Sequence, residues 1–472
     1  MSIEPQAPLR PLIWPPFVRR LAGAVEQPER VYLVGGAVRD ALRGRESHDF
    51  DLATPDSGRA VARRIADRLK GKYYALDAER DIGRALLPVG DHQTVVDVAS
   101  FRGESLLDDL LGRDFTINAM AVRLDDLSAL LDPLGGQQDL FSRKVLRPCA
   151  ETSLAADPVR AIRAVRCSLQ FGLRMEPGLV ESIRGARGGL FDDLGRPLQP
   201  ERIRDELFKL LGVSRPADAL RILDRVGLLA PLGLLPEGDA EMVAERMAVV
   251  ETLSGLLGAI GPARTDDSAA DLVLGTAVMI LDRFRSALQT HLATVFADER
   301  RLDRLLYLAA ASAPSSVDWR AWAATYSLSN AERNLLVILE IARQTIPGEL
   351  EAADPRAIYR YYKRPAEAGV DGVLLMLAEY LATHLPTPNP VEWGNLLERA
   401  AAPLFDAYFN HRAELISPAP LLSGEDLQTY LNLTPGPQIG RILDALLEAQ
   451  VAGEVGTQKE ALQFVKRFLS WL

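Results

Sequence analysis

Apolar residues follow two different rhythms along this chain. Over about the first 140 residues they come in short runs: Val31 to Val34, Phe50 to Ala53 around Asp51, and the valine-rich Gln93 to Ser100, each of which predicts a strand. Between them, Gly58 to Lys70 places apolar residues at helical spacing with several arginines on one side. Beyond about residue 150 strand patterns largely vanish, and a Leu- and Ala-rich 3.6-residue period takes over, broken at Pro/Gly clusters. The pattern predicts an α+β domain followed by a long helical body. Joints are expected near Asp132 to Gly136, Pro231 to Gly238, Thr345 to Pro355 and Ser417 to Gly424, and no fixed-period repeat is present.

With 472 residues the chain is long enough for several folding units, each with its own core. No apolar stretch is long enough to span a bilayer. The longest, Leu272 to Leu281, is interrupted by Gly275 and Thr276 and bounded by Asp271 and Asp282, and predicts a buried helix. No secretory signal pattern opens the chain, so a cytoplasmic location is expected. Two cysteines, Cys149 and Cys167, cannot make a disulfide framework, and five scattered histidines supply no HxxxH spacing. A metal here must be held by carboxylates, which favours magnesium or another hard cation. The net charge of −10 argues against nonspecific coating of nucleic acid, although positive charge can still be local.

The chemistry concentrates in Val31 to Thr54, VYLVGGAVRDALRGRESHDFDLAT. Gly35 and Gly36 would let backbone N–H groups approach a phosphate, with the next helix presenting its N-terminus and Arg39 serving as a phosphate ligand. Asp49 and Asp51 sit two apart on an extended strand, so both carboxylates emerge on one face, as a shared divalent cation requires. Alone, a Gly-Gly pair is usually a turn and a DxD usually a solvated loop; their order and spacing reverse that weighting. Asp97, in VVDVASFR, offers a third carboxylate that is either catalytic or one half of a surface ion pair. GRDFTINAMA brings Arg113, Asp114 and Asn118 together, or is a helix start capped by Asp114 or Thr116. DPVRAIRAVR opens with a capping Asp157 and a proline at the first helical position. Its Arg160, Arg163 and Arg166 recur every three residues, forming a triphosphate clamp or a solvated basic face.

These motifs, GGAVRD, DFDLAT, GRDFTINAMA, DPVRAIRAVR and Glu201 to Leu210 (ERIRDELFKL), stand in the order found in bacterial-type, class II tRNA nucleotidyltransferases and bacterial poly(A) polymerases, and the chain resembles that family. The resemblance is dense over residues 30 to 210, sparse from 215 to 400, and returns in LLSGEDLQTYLNLTPGPQIG near the C-terminus. It implies a polymerase-β-like nucleotidyltransferase head over residues 1–140, then an all-helical neck (141–215), body (216–415) and tail (416–472), the tail near the tRNA elbow. By similarity Asp49 and Asp51 would hold two magnesium ions, and Arg113, Asp114 and Asn118 would line the nucleotide site. Asp157 and Arg160 would read the base, while Arg39, Arg163 and Arg166 would grip phosphates. The implied partners are the tRNA 3′ end, CTP and ATP.

The chain departs from the family at Ala156, where an acid is common, and at Gly112, where a second arginine commonly stands. More consequentially, only GESLLDDLLG, Gly103 to Gly112, joins Arg102 to Arg113, where enzymes that add all of CCA usually carry a longer segment. That shortening points to addition of CC, with a separate A-adding enzyme acting on the same tRNA. The alternatives are a poly(A) polymerase, disfavoured by the few cations (Lys459, Lys466 and Arg467) after Thr457, and a catalytically silent tRNA-binding protein. The stretch Arg356 to Arg364, RAIYRYYKR, is either an RNA contact or an amphipathic helix with Tyr359 and Tyr362 inward and its cations solvated.

Overall fold

The alternation read from the sequence becomes a mixed sheet in the computed structural model, which describes residues 3–90, 92–260, 272–345, 354–363, 368–384, 386, 388–431 and 434–469. In chain order the elements are α1 (Pro16–Ala24), β1 (Tyr32–Val34), α2 (Gly36–Leu42), β2 (Asp49–Thr54), α3 (Gly58–Arg68), β3 (Lys72–Asp77), β4 (Ile82–Val89), β5 (His92–Ser100), α4 (Leu106–Leu111), β6 (Ala121–Arg123) and β7 (Leu130–Leu131). The strands are ordered β3-β4-β5-β2-β1-β6-β7, with β2 and β5 parallel and the other pairs antiparallel. The three predicted strands and the Gly58 helix form as expected. The pattern missed β3, because the edge strand leaves Tyr74 and Leu76 exposed and so lacks clean alternation, and β4, because Gly83 and Pro88 interrupt it.

One sheet face carries Leu33, Phe50, Leu52, Ala85, Leu87, Val96 and Val98, which pack with α1, α2 and α3 into the main core of the head. The other face is covered at one end only, where Leu106 and Leu110 of α4 pack on Val34, Ala53, Ala121 and Leu131. The segment Gly103 to Gly112 is therefore not an open loop. Ser105 caps α4 and Asp108 returns the bond, which holds six residues in a helix.

The first compact unit, Met1–Glu206, also contains the short parallel pair β8 (Val145–Leu146) and β9 (Arg174–Met175), helix α5 (Arg160–Phe171) and most of α6 (Pro200–Leu210). Asp157 does not cap α5, contrary to the sequence expectation: Val159 occupies the N-cap position without a side-chain bond, and Asp157 turns instead to Arg202. Nor do Asp114 and Thr116 cap a helix. The 3₁₀ turn Thr116–Asn118 starts from Phe115 with no side-chain cap, and Thr116 donates to the buried Asp139. Cys149 and Cys167 are free thiols.

The second unit, Leu207–Leu472, is helical in every assigned element. Helices α7 (Ala240–Ile260) and α10 (Gly369–His384) pack together, with Thr252 donating to the Ala378 carbonyl at 2.9 Å. Between them in sequence lie α8 (Leu272–Leu281) and α9 (Pro355–Tyr362). The expectation of burial for α8 fails. Ala277 and Leu281 are buried, but Met279 is 74% exposed, so its apolar surround is partly open to solvent. In α9, Tyr359 and Tyr362 pack inward as expected, yet the cations are not merely solvated. Arg356, Arg360 and Lys363 pair with Glu454, Glu448 and Asp444, the last two on α11 (Pro437–Val451); Arg364 lies outside the described residues. Helix α12 (Gln458–Leu469) completes a small separate core with Leu422, Ile442, Leu446 and Val465. Among the described residues no helix is long and apolar enough to cross a membrane.

The seam between α3 and the sheet depends on Asp81, which accepts from the Gly58 N–H at 2.9 Å, Ser57 Oγ at 3.1 Å, Arg59 Nε at 2.7 Å and Ser100 Oγ at 2.8 Å. Burial opposes the charge, but these donors outweigh it and hold the carboxyl well below the usual range. A depressed folded-state pKa adds stability that is complete above the unfolded value near 4 and is lost as pH falls below it. Asp81→Asn should therefore cost about 2 kcal/mol at pH 7 in denaturant titrations, with the difference from wild type shrinking as pH drops below about 4.

Candidate active site

Register brings three carboxylates together. Asp51 pairs with Asp97 across β2 and β5, and Asp97 pairs with Arg84 across β5 and β4, so all three side chains lie on the half-covered sheet face. Asp49, two residues before Asp51, shares that face, and both are exposed. Asp97 is forked by Arg84 through two bonds of 2.8 Å. Of the two readings of Asp97, the ion pair is realised, and it lies beside Asp51 rather than on a remote surface.

Although the Asp51 carboxylate reaches solvent, the protein around it pushes its pKa up; Arg113 offsets part of this, while Asp97 and Asp49 add to it. Negative charge is thus crowded where a cation would relieve it. Among the described residues no group of three or more His, Cys, Asp or Glu side chains is placed to hold a metal alone. Two hard carboxylates on one strand face do fit magnesium, which commonly takes one or two carboxylates and completes its shell with water and substrate phosphates.

Gly35 ends β1 beside these carboxylates with φ +76°, and a Cβ there would meet Asp51 Oδ2 and Arg113 Nη1, each at 3.0 Å. The glycine therefore permits both a left-handed backbone and the approach of a carboxylate and a guanidinium to one turn. Gly36 follows against the Arg39 guanidinium, which a Cβ would meet at 3.2 Å. Arg113 is held by Asp109, which is 2% exposed on α4 and accepts at 3.0 and 3.1 Å.

From here a chain of charged bonds runs into the helices. Arg39 is clamped by Asp40 (2.8 and 3.0 Å), stacks on Phe171 at 4.3 Å and donates to Asn118 at 2.5 Å. Asn118 donates to Asp114, which also accepts from the Phe115 N–H and Arg163. Burial would raise the Asp114 pKa, but Arg163, Asn118 and Phe115 hold it below the usual value. Arg163 and Arg166 share the carboxylate of Glu206, which is 3% exposed on α6. Both arginines are thus bound to protein acceptors here, and neither makes a solvated basic face.

Asp157 and Arg160 differ from the rest. Arg160 is pinned by the carbonyls of Gly112 and Arg113 and by Ser153, and Asp157 Oδ2 by Arg202 at 2.7 Å. Arg160 Nε and Asp157 Oδ1 are buried and make no hydrogen bond, while Nε lies 3.7 Å from Asp157 Oδ2, so the two side chains form an ion pair with each other. A donor and an acceptor that make no hydrogen bond are a costly arrangement, which a ligand edge can satisfy once a small side-chain shift uncovers them.

Sequence reading missed Asp109, Arg84, Arg202 and Glu206. Asp109 was within reach as an acid four residues before Arg113, the pair spanning the end of a short helix. The other three depend on sheet register or helix packing, which short motifs do not carry.

The head's mixed sheet, its adjacent carboxylates and the glycine turn beside them define a nucleotidyltransferase. Models of known families match residues 31–147 (Poly A polymerase head domain), 196–242 (Probable RNA and SrmB- binding site of polymerase A) and 412–465 (tRNA nucleotidyltransferase domain 2). An A-adding tRNA nucleotidyltransferase of Deinococcus radiodurans is 34% identical over 93% of this chain and 96% of its own. CC-adding enzymes of Geobacter sulfurreducens and Thermus thermophilus are 31% and 32% identical, covering 92% and 93% of this chain and 91% and 93% of theirs. A solved CCA-adding enzyme from Bacillus stearothermophilus shares the fold with a TM-score of 0.64 at 23% identity, over 97% of this chain and 99% of its own. The chain belongs to the tRNA nucleotidyltransferase family, enzymes that add nucleotides to tRNA.

Gly35→Ala should lower kcat/KM about 10²-fold, because the added methyl displaces Asp51 or Arg113 by a fraction of an ångström to an ångström. The fold should persist in circular dichroism with a loss of about 1–2 kcal/mol from the positive φ.

Proposed function

We propose that the chain adds cytidylate to the tRNA 3′ end, building CC, by in-line attack of the terminal 3′-hydroxyl on the α-phosphate of CTP with release of pyrophosphate. The observation that carries this reading is the orphaned pair Asp157 Oδ1 and Arg160 Nε. On their Watson–Crick edges cytosine and adenine present an amino donor beside a ring-nitrogen acceptor, which match an acceptor and a donor that make no hydrogen bond within the protein. Uracil and guanine present the reverse order, leaving donor against donor. Because the pair is fixed by backbone carbonyls and by Arg202, it acts as a rigid template in the protein.

Asp49 and Asp51 would hold two magnesium ions, and Gly35, Gly36, Arg39 and Arg113 would receive the triphosphate beside them. Magnesium bound there lowers the pKa of an attacking hydroxyl and neutralises leaving phosphates. Arg163 and Arg166 would reach phosphates by exchanging part of their bonding to Glu206, and Asp114 would meet the ribose. Asp97 keeps the Arg84 fork beside this centre.

The short Gly103 to Gly112 segment supports CC rather than complete CCA as product. A second reading, addition of A alone, is favoured by the Deinococcus relative named A-adding, at 34% identity. The base-reading pair serves both, since C and A share the edge pattern. Transfer to tRNAs ending before C, after C and after CC, resolved at single-nucleotide length, separates them. Two additions with CTP and none with ATP support CC addition; one addition of A after CC supports the second reading. Asp51→Ala should abolish transfer while CTP still shifts thermal unfolding. In Asp157→Ala the CTP-over-UTP preference should fall about tenfold or more, with total incorporation less affected. An unchanged preference in competition assays would refute the template.

A further inference from the structure

In-line displacement sets where the RNA must lie, given the function proposed above. The leaving phosphates belong with Gly35, Arg39 and Arg113, all on the β1 side of Asp51. Attacking and leaving oxygens stand on opposite sides of the phosphorus, so the 3′-hydroxyl approaches from the other side, over β5, β4 and β3. Among the described residues no helix packs extensively on that half of the face; α3 packs on these strands from the opposite side. Two cross-strand rows lead outward from the carboxylates. One runs Asp51, Asp97, Arg84, Tyr74, and the next Asp49, Val95, Leu86, Lys72.

We propose that the open face of β5, β4 and β3 is the platform for the single-stranded 3′ end of the RNA, with Tyr74 stacking on a base and Lys72 meeting the backbone. Tyr74 is 48% exposed and its neighbour in sequence, Tyr73, faces the opposite way, against Arg63 and the core. An exposed aromatic ring beside a cation and half-buried aliphatic side chains is the composition that binds single strands without reading sequence. Three strand spacings of about 4.8 Å put Tyr74 roughly 14 Å from Asp51, within reach of the last few nucleotides. Arg84 serves this face too: by neutralising Asp97 it removes one negative charge from the path of an incoming phosphodiester. A sequence-tolerant platform suits an enzyme whose primer end changes with each addition.

Steady-state transfer with tRNA tests the platform. Tyr74→Ala should raise KM for the RNA about tenfold, with Tyr74→Phe near wild type, while KM for CTP and the CTP-induced shift in melting stay unchanged. Independently, wild-type protein irradiated with tRNA carrying 4-thiouridine two nucleotides before its 3′ end should crosslink within residues 72–86. An unchanged RNA KM in Tyr74→Ala, or crosslinks confined to other segments, would overturn the proposal and leave the proposed reaction standing. A dimer that dissolves in Tyr74→Ala at unchanged KM would also overturn it, assigning the face to a second copy of the chain. Absence of transfer by wild type on every tRNA would overturn the reaction, and the platform with it.

Discussion

The buried charge of Asp114 is the constraint around which the catalytic unit is arranged. A carboxylate 8% exposed is tolerated only if it is fully paired, and its partners come from three places: the adjacent Phe115 N–H, Asn118 of the following turn, and Arg163 of α5. Each partner is itself committed. Asn118 holds Arg39 on α2, and Arg163 is shared with Glu206 on α6. Removing Arg163 leaves Asp114 without its cation, and each of the other members is shared between neighbours, so α2, the Thr116–Asn118 turn, α5 and α6 are tied into one register by electrostatics as well as by packing. Arg160 inherits that rigidity, because it sits one turn before Arg163 and is pinned to the same Gly112–Arg113 backbone that carries Asp114.

A second constraint acts at the sheet. Parallel β2 and β5 put Asp51 next to Asp97, a like-charge pair that is unfavourable alone. Two devices reduce the cost: Arg84 forks Asp97 from one side, and Arg113, steadied by buried Asp109, approaches Asp51 from the other. What remains is the charge of Asp49 beside the partly compensated Asp51, at the boundary between the half of the face covered by α4 and the open half. The placement follows from packing. Small and aliphatic residues at Val34, Ala53 and Ala121 invite α4, whereas charged residues in the neighbouring rows keep the rest of the face wet.

The parts legible in the sequence were those encoded within a few residues. The strand, glycine turn and paired aspartates from Val31 to Thr54 needed only local periodicity, and the helical character of the later chain only its 3.6-residue rhythm. What escaped depends on distant partners. Asp157 looked like a helix cap because it precedes a proline, but Arg202, 45 residues on, competes for its carboxylate. The cations of α9 looked solvated because the acids that meet them, Asp444 and Glu448, lie over 80 residues away in sequence. Leu272 to Leu281 looked buried because hydropathy alone cannot show how much of a helix its neighbours cover; Met279 remains open. Edge strand β3 went unread for the reason that makes it interesting, since its outward residues are those of a surface rather than a core.

Arg160 and the Asp51 carboxylate are therefore joined by a single stretch of backbone. Gly112 and Arg113 offer carbonyls to Arg160 on one side, while the Arg113 guanidinium reaches the Gly35 turn and Asp51 on the other. In the proposed reading a base that satisfied Asp157 Oδ1 and Arg160 Nε would thereby be held in fixed relation to the carboxylates, and a mismatched base that pushed Arg160 away would disturb the same segment. Under that proposal selectivity would follow from geometry at the α-phosphate as much as from affinity, because a displacement of about an ångström costs roughly 10²-fold in rate. Gly112 contributes to this economy. A Cβ there would meet Arg102 Cδ at 3.0 Å, so the glycine makes room for a second arginine beside Asp109 and Arg113, though one rooted at the end of β5 instead of in the motif itself.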